Sequence, residues 1–293
     1  MSQLSTQHAA SRLAMIGPVL LGATSFACAD VLSKAVLKAG ADVLTMSAVR
    51  GALGLAMLLV WLRLVPPPAR FAPRERWISL GLGLLFAGNV FLLFKSVEQI
   101  EVPVAILTYF VYPLLTGLAA AATGIDKLSW RGAAAAVVAF LGLALMIGAH
   151  PTELAIVGIL AAIGAACCRV VILLVTRAAL PGADAVQITW YALMSSTALF
   201  VVAALATWNW QPPVSVLGWV GLVVLSLAVT TGILGVFAST GRIGPFRTAL
   251  FMNLEPLITA IGSALFLGEV ITPLQALGGV IMLAALVTFQ LRR

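Results

Sequence analysis

The sequence predicts an all-α integral membrane protein: ten transmembrane helices form two inverted five-helix repeats around a central cavity, with both termini in the cytoplasm. Three observations support this fold class. The 293 residues are 62% hydrophobic and only 9% charged, with a mean hydropathy of +1.11, whereas a soluble domain carries about 25% charged residues. Ten apolar runs are long enough to cross a bilayer, and an internal repeat relates the first five to the last five.

The apolar runs define the spans, because a helix needs about 20 apolar residues to cross the hydrocarbon core. Divided at proline, glycine and charged clusters, they lie at 14–38, 42–64, 76–98, 102–123, 129–149, 154–178, 184–207, 215–238, 245–267 and 271–291. The connections are too short for a soluble domain. We therefore expect a cytoplasmic N-terminus at 1–13, a first five-helix repeat at 14–149 and a second, inverted repeat at 154–291.

The basic residues predict the orientation, because Lys and Arg accumulate in short cytoplasmic loops. One set of loops carries nearly all of them, namely Arg12, Arg63, Arg70, Arg74, Arg76, Lys127, Arg131, Arg177, Arg242, Arg247, Arg292 and Arg293. The opposite set carries only Lys34, Lys38 and Lys95. Because the basic residues are dispersed between spans, the net charge of +7 indicates topology and not a nucleic-acid partner.

The repeat has an offset of about 142 positions, as from Gly40-Ala41-Asp42 to Gly182-Ala183-Asp184. Pro113 and Thr116 likewise match Pro256 and Thr259. Each half has five spans, an odd number, so the second half inserts upside down. This plan is typical of secondary transporters, with the ligand site near the midplane, although a duplication that only builds a scaffold is the alternative.

Four ionisable residues lie inside the spans, where charge is costly and usually faces a cavity or a partner. Asp30 and Arg50 lie about 10 Å from the outer face, and Arg169 and Glu255 about 12 Å from the cytoplasmic face, at 1.5 Å per residue. Two interpretations stay open: structural ion pairs that fix helix packing, or gate elements that part when the cavity opens.

Matching faces occur on the fourth and ninth spans. Tyr109, Tyr112 and Thr116 follow a helical spacing and share one face, and their repeat counterparts are Met252, Glu255 and Thr259. Such a face can line a site for an amphipathic solute, or the tyrosine hydroxyls can bond neighbouring helices.

The two prolines on these faces, Pro113 and Pro256, are expected to interrupt their helices. Each leaves the carbonyl four residues earlier, of Tyr109 or Met252, without its helical partner. On the third span, Asn89 is a further polar candidate.

No motif predicts a cofactor, a metal site or an enzyme. The sequence contains no phosphate-binding loop, no nucleophile–base–orienter set and no HExxH pair. An intramembrane enzyme and a channel remain the rival classes.

The stretch from Ala249 to Val280 resembles the signature of the EamA family in the drug/metabolite transporter superfamily. The resemblance rests on Asn253-Leu254-Glu255-Pro256, on Leu267-Gly268-Glu269 and on Arg50 in the second span. Within that family the chain looks most similar to YddG-type exporters of aromatic amino acids. The resemblance implies that spans 1, 3, 4, 6, 8 and 9 surround the cavity, so that Arg50 lies outside it in a packing role.

From these observations we expect a secondary transporter that exports a small metabolite, with aromatic or neutral amino acids favoured, across the bacterial inner membrane by alternating access. Tyr109 and Tyr112 would contact the apolar part of the solute, Asn89 its polar groups, Arg169 a carboxylate, and Glu255 an ammonium group or a coupling proton. Partners would be the solute, the lipid bilayer and, as an open point, a proton or ion gradient. Export of an organic cation, drug or nucleoside is the alternative.

Overall fold

A computed structural model of the chain describes residues 2–67, 69–148, 155–208, 210–267 and 270–291, and all regular secondary structure in these ranges is helical. The first half contains α1 (Ser2–Lys38), α2 (Val43–Leu64), α3 (Pro73–Val97), α4 (Val102–Tyr109), α5 (Tyr112–Ala122) and α6 (Trp130–Ile147). The second half contains α7 (Ile156–Ala179), α8 (Ala185–Ala206), α9 (Val216–Ile243), α10 (Pro245–Phe251), α11 (Leu254–Leu267) and α12 (Pro273–Leu291).

The prediction of a helical membrane protein is confirmed. Within the described ranges, nine stretches are long and apolar enough to cross a membrane, with α4–α5 and α10–α11 each giving one. A shorter apolar helix, Pro273–Phe289, corresponds to the last predicted run. Helices of about 17 residues are at the lower limit for a span.

Two helices extend beyond their predicted spans, because the helix continues into polar residues after the apolar run has ended. α9 continues to Ile243, where the prediction stopped at 238, since polar residues such as Thr240 and Arg242 extend the helix beyond its apolar part. Gly244 ends it with a φ of 87°, a left-handed conformation that glycine adopts readily. At the N-terminus, α1 already begins at Ser2. Gly268 and Glu269 of the family signature lie outside the described residues.

Both predicted helix breaks are present, just before Pro113 and Pro256. α4 ends at Tyr109 and α5 begins at Tyr112; α10 ends at Phe251 and α11 begins at Leu254. The expectation of an unpaired carbonyl at Met252 is wrong, because the Glu255 N–H donates to it at 3.0 Å. The tight turn at the break supplies the partner that the proline removes.

The helices of one half pack mainly against helices of the other half. α1 packs on α9, α3 on α7, α2 on α8, and α6 on α12. Glycines permit the closest approaches: a Cβ on Gly235 of α9 would lie 2.7 Å from Gly22 Cα of α1, and one on Gly142 of α6 would lie 2.8 Å from the Gly278 carbonyl oxygen of α12. Small residues at such crossings are the usual contact of membrane helices.

Hydrogen bonds between loops mark the two ends of the bundle. At one end, which we call the Asp42 end, the Asp42 N–H donates to the Gln211 carbonyl at 3.0 Å. At the other, the Gln187 end, the Gln187 side chain accepts from the Phe71 N–H at 3.1 Å and donates to the Ala69 carbonyl at 2.8 Å. We call each of these two sets of hydrogen bonds a clasp. Each clasp joins the start of α2 or of α8 to a loop of the other half.

Candidate functional site

A cavity of about 390 Å³ lies between the two halves and extends from the middle of the bundle toward the Asp42 end. Its lining runs along α1 from Phe26 to Leu37 and along α3 from Phe86 to Val97. Asp30 and Lys34 are exposed within it, so solvent reaches the cavity. Six of the residues singled out in the sequence line it: Asp30, Arg50, Asn89, Tyr109, Arg169 and Glu255.

Arg169 is the most unusual of the lining residues. Its side chain, from the middle of α7, is only 5% exposed. The guanidinium carbon lies 5.6 Å from the centre of the Phe26 ring and 5.9 Å from that of Tyr112. Its Nε has no hydrogen-bond partner in the described part of the chain. A buried cation that retains an unsatisfied donor is costly, and at a cavity wall it can bind an anionic group.

An aromatic cluster at the α4–α5 break supports this arginine. The ring of Tyr109 lies 5.3 Å from that of Tyr112 and 5.4 Å from that of Phe110, and the rings of Phe110 and Tyr112 are 5.7 Å apart. Tyr109 reaches the cavity, whereas the buried Tyr112 is not part of the lining. Tyr112 therefore stands behind Arg169, and the break brings both tyrosines to it.

Asn89 links α3 to α7 at the cavity wall. Its amide nitrogen donates to the Ala165 carbonyl at 2.7 Å, one helical turn before Arg169. The side chain also interacts with that of Tyr109. Asn89 thus holds the wall together, while its position in the lining leaves it within reach of a solute.

The opposite wall is formed by α1 and α11. The Thr259 hydroxyl donates to Asp30 Oδ2 at 3.1 Å, and one turn further along both helices Lys34 Nζ donates to the Ser263 hydroxyl at 3.4 Å. Glu255 lies in the first turn of α11, one turn before Thr259. It interacts electrostatically with Asp30 and with Arg169.

The remaining candidates have different positions. Arg50 also faces the cavity and interacts electrostatically with Asp30, although the resemblance implied that its span lies outside. Pro113 is buried and Pro256 half-buried at the starts of α5 and α11, and neither lines the cavity. In the described ranges, no group of three or more His, Cys, Asp or Glu side chains could hold a metal ion.

Among the lining residues that the sequence analysis did not name as site candidates, Phe26 and Lys34 flank the predicted Asp30 on α1. Phe26 lies one turn before Asp30 and Lys34 one turn after it, and all three line the cavity. Their i, i+4 spacing places them on one face of α1. Searching that face outward from the intramembrane aspartate would have found both.

The helical bundle with its central solvated cavity is that of a multi-pass membrane protein, and the family that its sequence matches consists of transporters and not of enzymes. The model of the EamA-like transporter family matches residues 14–148 and again residues 156–289, and the chain belongs to that family.

Two relatives and one solved structure show how closely the chain resembles known proteins. It is 29% identical over 245 residues to the threonine/homoserine exporter RhtA of Escherichia coli (strain K12), which covers 80% of this chain and 78% of the relative. For RhtA of Salmonella typhimurium (strain LT2), the identity is 28% over 247 residues, covering 82% and 79%. A solved crystal structure shares the fold with a TM-score of 0.81 at 18% identity, over 95% of this chain and 100% of that chain.

Proposed function

We propose that this protein is a secondary transporter that exports amino acids across the bacterial inner membrane by alternating access. The observation that carries the proposal is Arg169, a buried arginine that lines the solvated cavity and interacts electrostatically with Glu255. Its Nε, itself buried, has no hydrogen-bond partner among the described residues. An arginine and a carboxylate on one cavity suit a zwitterion. The related exporters named for threonine and homoserine favour the same class of solute.

The helix contacts support two inverted repeats, over residues 14–149 and 154–291. If each helix is replaced by its counterpart in the other half, the α1–α9 contact becomes the α3–α7 contact. The α1–α11 contact likewise corresponds to the packing of α4 and α5 on α7. The α2–α8 and α6–α12 contacts map onto themselves. An odd number of spans in each half makes the repeats inverted.

The distribution of basic residues supports a cytoplasmic location for the Gln187 end and for both termini. Arg70, Arg74 and Arg76 lie beside the loop that Gln187 clasps, whereas the Asp42 end carries only Lys34, Lys38 and Lys95 on its adjoining helices. Lys and Arg are retained on the cytoplasmic side of short loops. The cavity therefore faces outward in this conformation.

In this arrangement the solute carboxylate binds Arg169 and its ammonium group binds Glu255. Tyr109 and Phe26 contact the side chain of the solute, and Asn89 adds a hydrogen bond. Tyr112 acts through Arg169, because its ring lies 5.9 Å from the guanidinium carbon and does not reach the cavity. The cavity volume of about 390 Å³ is within the range of small-molecule sites and admits neutral and aromatic amino acids.

Alternating access requires the aromatic cluster of Tyr109, Phe110 and Tyr112 to part, because it lies between the cavity and the Gln187 end. The breaks at α4–α5 and α10–α11 supply hinges at corresponding positions of the two repeats. Rocking of one repeat against the other about such broken helices is the usual movement of inverted-repeat carriers.

Counterflow in proteoliposomes tests the proposal. Liposomes with purified protein are loaded with unlabelled threonine, homoserine, phenylalanine, uridine or tetraphenylphosphonium, and uptake of the same labelled compound is measured. We expect trans-stimulation by the neutral amino acids. Exchange of only the nucleoside or the organic cation would contradict the substrate class, and flux without trans-stimulation would indicate a channel.

A further inference from the structure

We infer that a groove on the outer surface of the bundle, formed by α1, α9 and the start of α8, binds an ethanolamine phospholipid. The groove has a volume of about 660 Å³ and, among the described residues, shares none of its lining with the central cavity. Asp184 and Arg242 line its polar end, and its apolar walls come from α1 and α9. The inference goes beyond the proposed export function and does not depend on it.

The groove has the length of one bilayer leaflet. Its lining on α9 runs from Thr231 to Arg242, about 16 Å at a rise of 1.5 Å per residue. The hydrocarbon core of a bilayer is about 30 Å thick, so the groove extends from the membrane surface to near the midplane. α1 contributes Pro18 and Leu21, and Leu21 is exposed on the outside of the bundle. In the orientation proposed above, this is the cytoplasmic leaflet.

Small residues on α9 make room for an acyl chain. Gly235, Ala238 and Gly241 all line the groove. A Cβ on Gly235 would lie 2.5 Å from the Pro18 carbonyl oxygen, whereas one on Gly241 would meet no atom within 4 Å. The helices α1 and α9 therefore touch at Gly235, and open space remains beside Gly241. A flexible hydrocarbon chain fills such an uneven surface, and van der Waals packing drives contacts of this kind within a membrane.

The polar end of the groove carries one acid and one base. The Asp184 carboxylate caps α8 by accepting from the Val186 N–H at 3.1 Å, the single hydrogen bond that it accepts within the described ranges. A carboxylate has about four acceptor positions, so most of them are available to a ligand. Arg242, in the last turn of α9, is exposed, and a guanidinium group binds phosphate through paired hydrogen bonds.

The repeat counterpart of Asp184 shows why this carboxylate is available. Asp42 accepts from the Gln211 N–H of the other half at 3.0 Å, in addition to capping α2. At the Gln187 end, the clasp to the other half is made by Gln187, the counterpart of Thr45. Asp184 is thereby released from the clasp and lines the groove.

The pair of charges favours a zwitterionic headgroup with N–H donors. The ammonium group of ethanolamine donates to Asp184 while its phosphate accepts from Arg242, and the acyl chain occupies the apolar walls. A purely anionic headgroup would place like charge beside Asp184, and a choline headgroup has no N–H to donate. A second copy of the chain would present the same concave surface at a two-fold contact, which leaves the groove unfilled.

Native mass spectrometry of the purified full-length protein in detergent tests the site. The protein is mixed with equal amounts of phosphatidylethanolamine, phosphatidylglycerol and phosphatidylcholine that carry identical acyl chains, so that the retained lipids differ in mass. For the wild type, we expect one tightly retained lipid per chain. Phosphatidylethanolamine should be preferred about three- to tenfold over each of the others, the effect of one charged hydrogen bond at a partly exposed site.

Three variants assign the contacts. Asp184→Asn can still cap α8 and should abolish the preference for ethanolamine over glycerol headgroups, whereas Arg242→Gln should weaken both lipids alike. Gly241→Leu places a side chain in the open part of the groove and should reduce retention of all three lipids. The matched controls are Arg63→Gln, an exposed arginine in the last turn of α2, and Gly81→Leu, a helical glycine of α3 that also has open space beside it.

The monodispersity and apparent Tm of each variant are measured alongside, so that lost binding is distinguished from lost folding. Equal retention of the three lipids by the wild type, or a headgroup preference that survives in both Asp184→Asn and Arg242→Gln, would overturn the inference. A wild-type dimer that retains no lipid and dissociates in Gly241→Leu would also overturn it, in favour of a second copy of the chain. Lipid retention as expected in a protein without amino acid exchange would remove only the proposed export function.

Discussion

The two broken helices, α4–α5 and α10–α11, have the same backbone arrangement but carry different side chains at the break. α4–α5 turns at Phe110 and α10–α11 turns at Met252, and in both a proline follows within the first turn of the next helix. The first break presents three aromatic rings, whereas the second presents a carboxylate, Glu255. The two halves thus share the helix break, whereas the side chains around it differ.

A matched pair of threonines shows the same divergence at atomic scale. The Thr116 hydroxyl donates to the Tyr112 carbonyl of its own helix at 2.7 Å. Its repeat counterpart, Thr259, donates to Asp30 on a different helix at 3.1 Å. The second break interacts with the charged wall of α1, and the first supports Arg169 through its rings. The proposed solute site therefore depends on the differences between the repeats.

The largest effect should come from Arg169, the cation that the aromatic break supports. Arg169→Gln removes the charge that we assign to the solute carboxylate, and such hydrogen bonds contribute about 1.5–3 kcal/mol. We expect KM for amino acid counterflow to rise between about 10-fold and about 100-fold. Arg131→Gln, at the exposed start of α6 outside the cavity, is the control. Normal exchange by a monodisperse Arg169→Gln protein would show that the arginine only packs the core.

A smaller effect separates the two threonines. Thr259→Val removes a hydrogen bond to Asp30 and should raise KM about three- to fivefold, since a neutral donor contributes about 1 kcal/mol. Thr116→Val removes only a bond to the carbonyl of its own helix and should change KM less than about twofold. Equal effects of the two substitutions on KM in counterflow would mean that the two breaks are functionally equivalent. That result would contradict the different roles assigned to them above.

The span positions and helix breaks were predictable because they depend on local properties of the chain. Apolar runs reveal membrane crossings, and Pro113 and Pro256 reveal breaks, with no knowledge of neighbours. The end of α9 at Ile243 was missed because hydropathy does not record how far a helix continues beyond the apolar region.

The partners within the site were less predictable. Helical spacing places Tyr112 on the same face as Tyr109, but only the packing of α5 on α7 puts its ring against Arg169 and out of the cavity. Arg50 lines the cavity because α2 packs on α8 and α9 at its edge, which the span order does not reveal. A sequence pattern indicates the face of a helix, whereas contacts between helices decide what that face meets.

The smallest effect concerns the loops, where the repeats diverge again. Asp42 caps α2 by accepting from the Leu44 and Thr45 N–H groups, and it also accepts from the Thr45 hydroxyl and from the Gln211 N–H of the other half. Burial alone would raise the pKa of Asp42, but these hydrogen bonds outweigh it and hold the pKa below its usual value. Its repeat counterpart, Asp184, caps α8 by accepting from the Val186 N–H, the single hydrogen bond that its carboxylate accepts within the described ranges.

We therefore expect Asp42→Ala to lower the apparent Tm in detergent more than Asp184→Ala does. Loss of a cap costs on the order of 1 kcal/mol, less where solvent screens it, which corresponds to a decrease of about 2–4 °C for Asp42 and roughly half of that for Asp184. Because the folded-state pKa of Asp42 is lowered, its stabilisation is complete above the usual pKa of about 4 and disappears as the pH falls through the lower folded-state value. The Tm difference between wild type and Asp42→Ala should shrink over that acidic range. A Tm difference that stays constant with pH would show that the charge of the Asp42 carboxylate contributes nothing to the clasp. The two halves would then be held together there by packing alone.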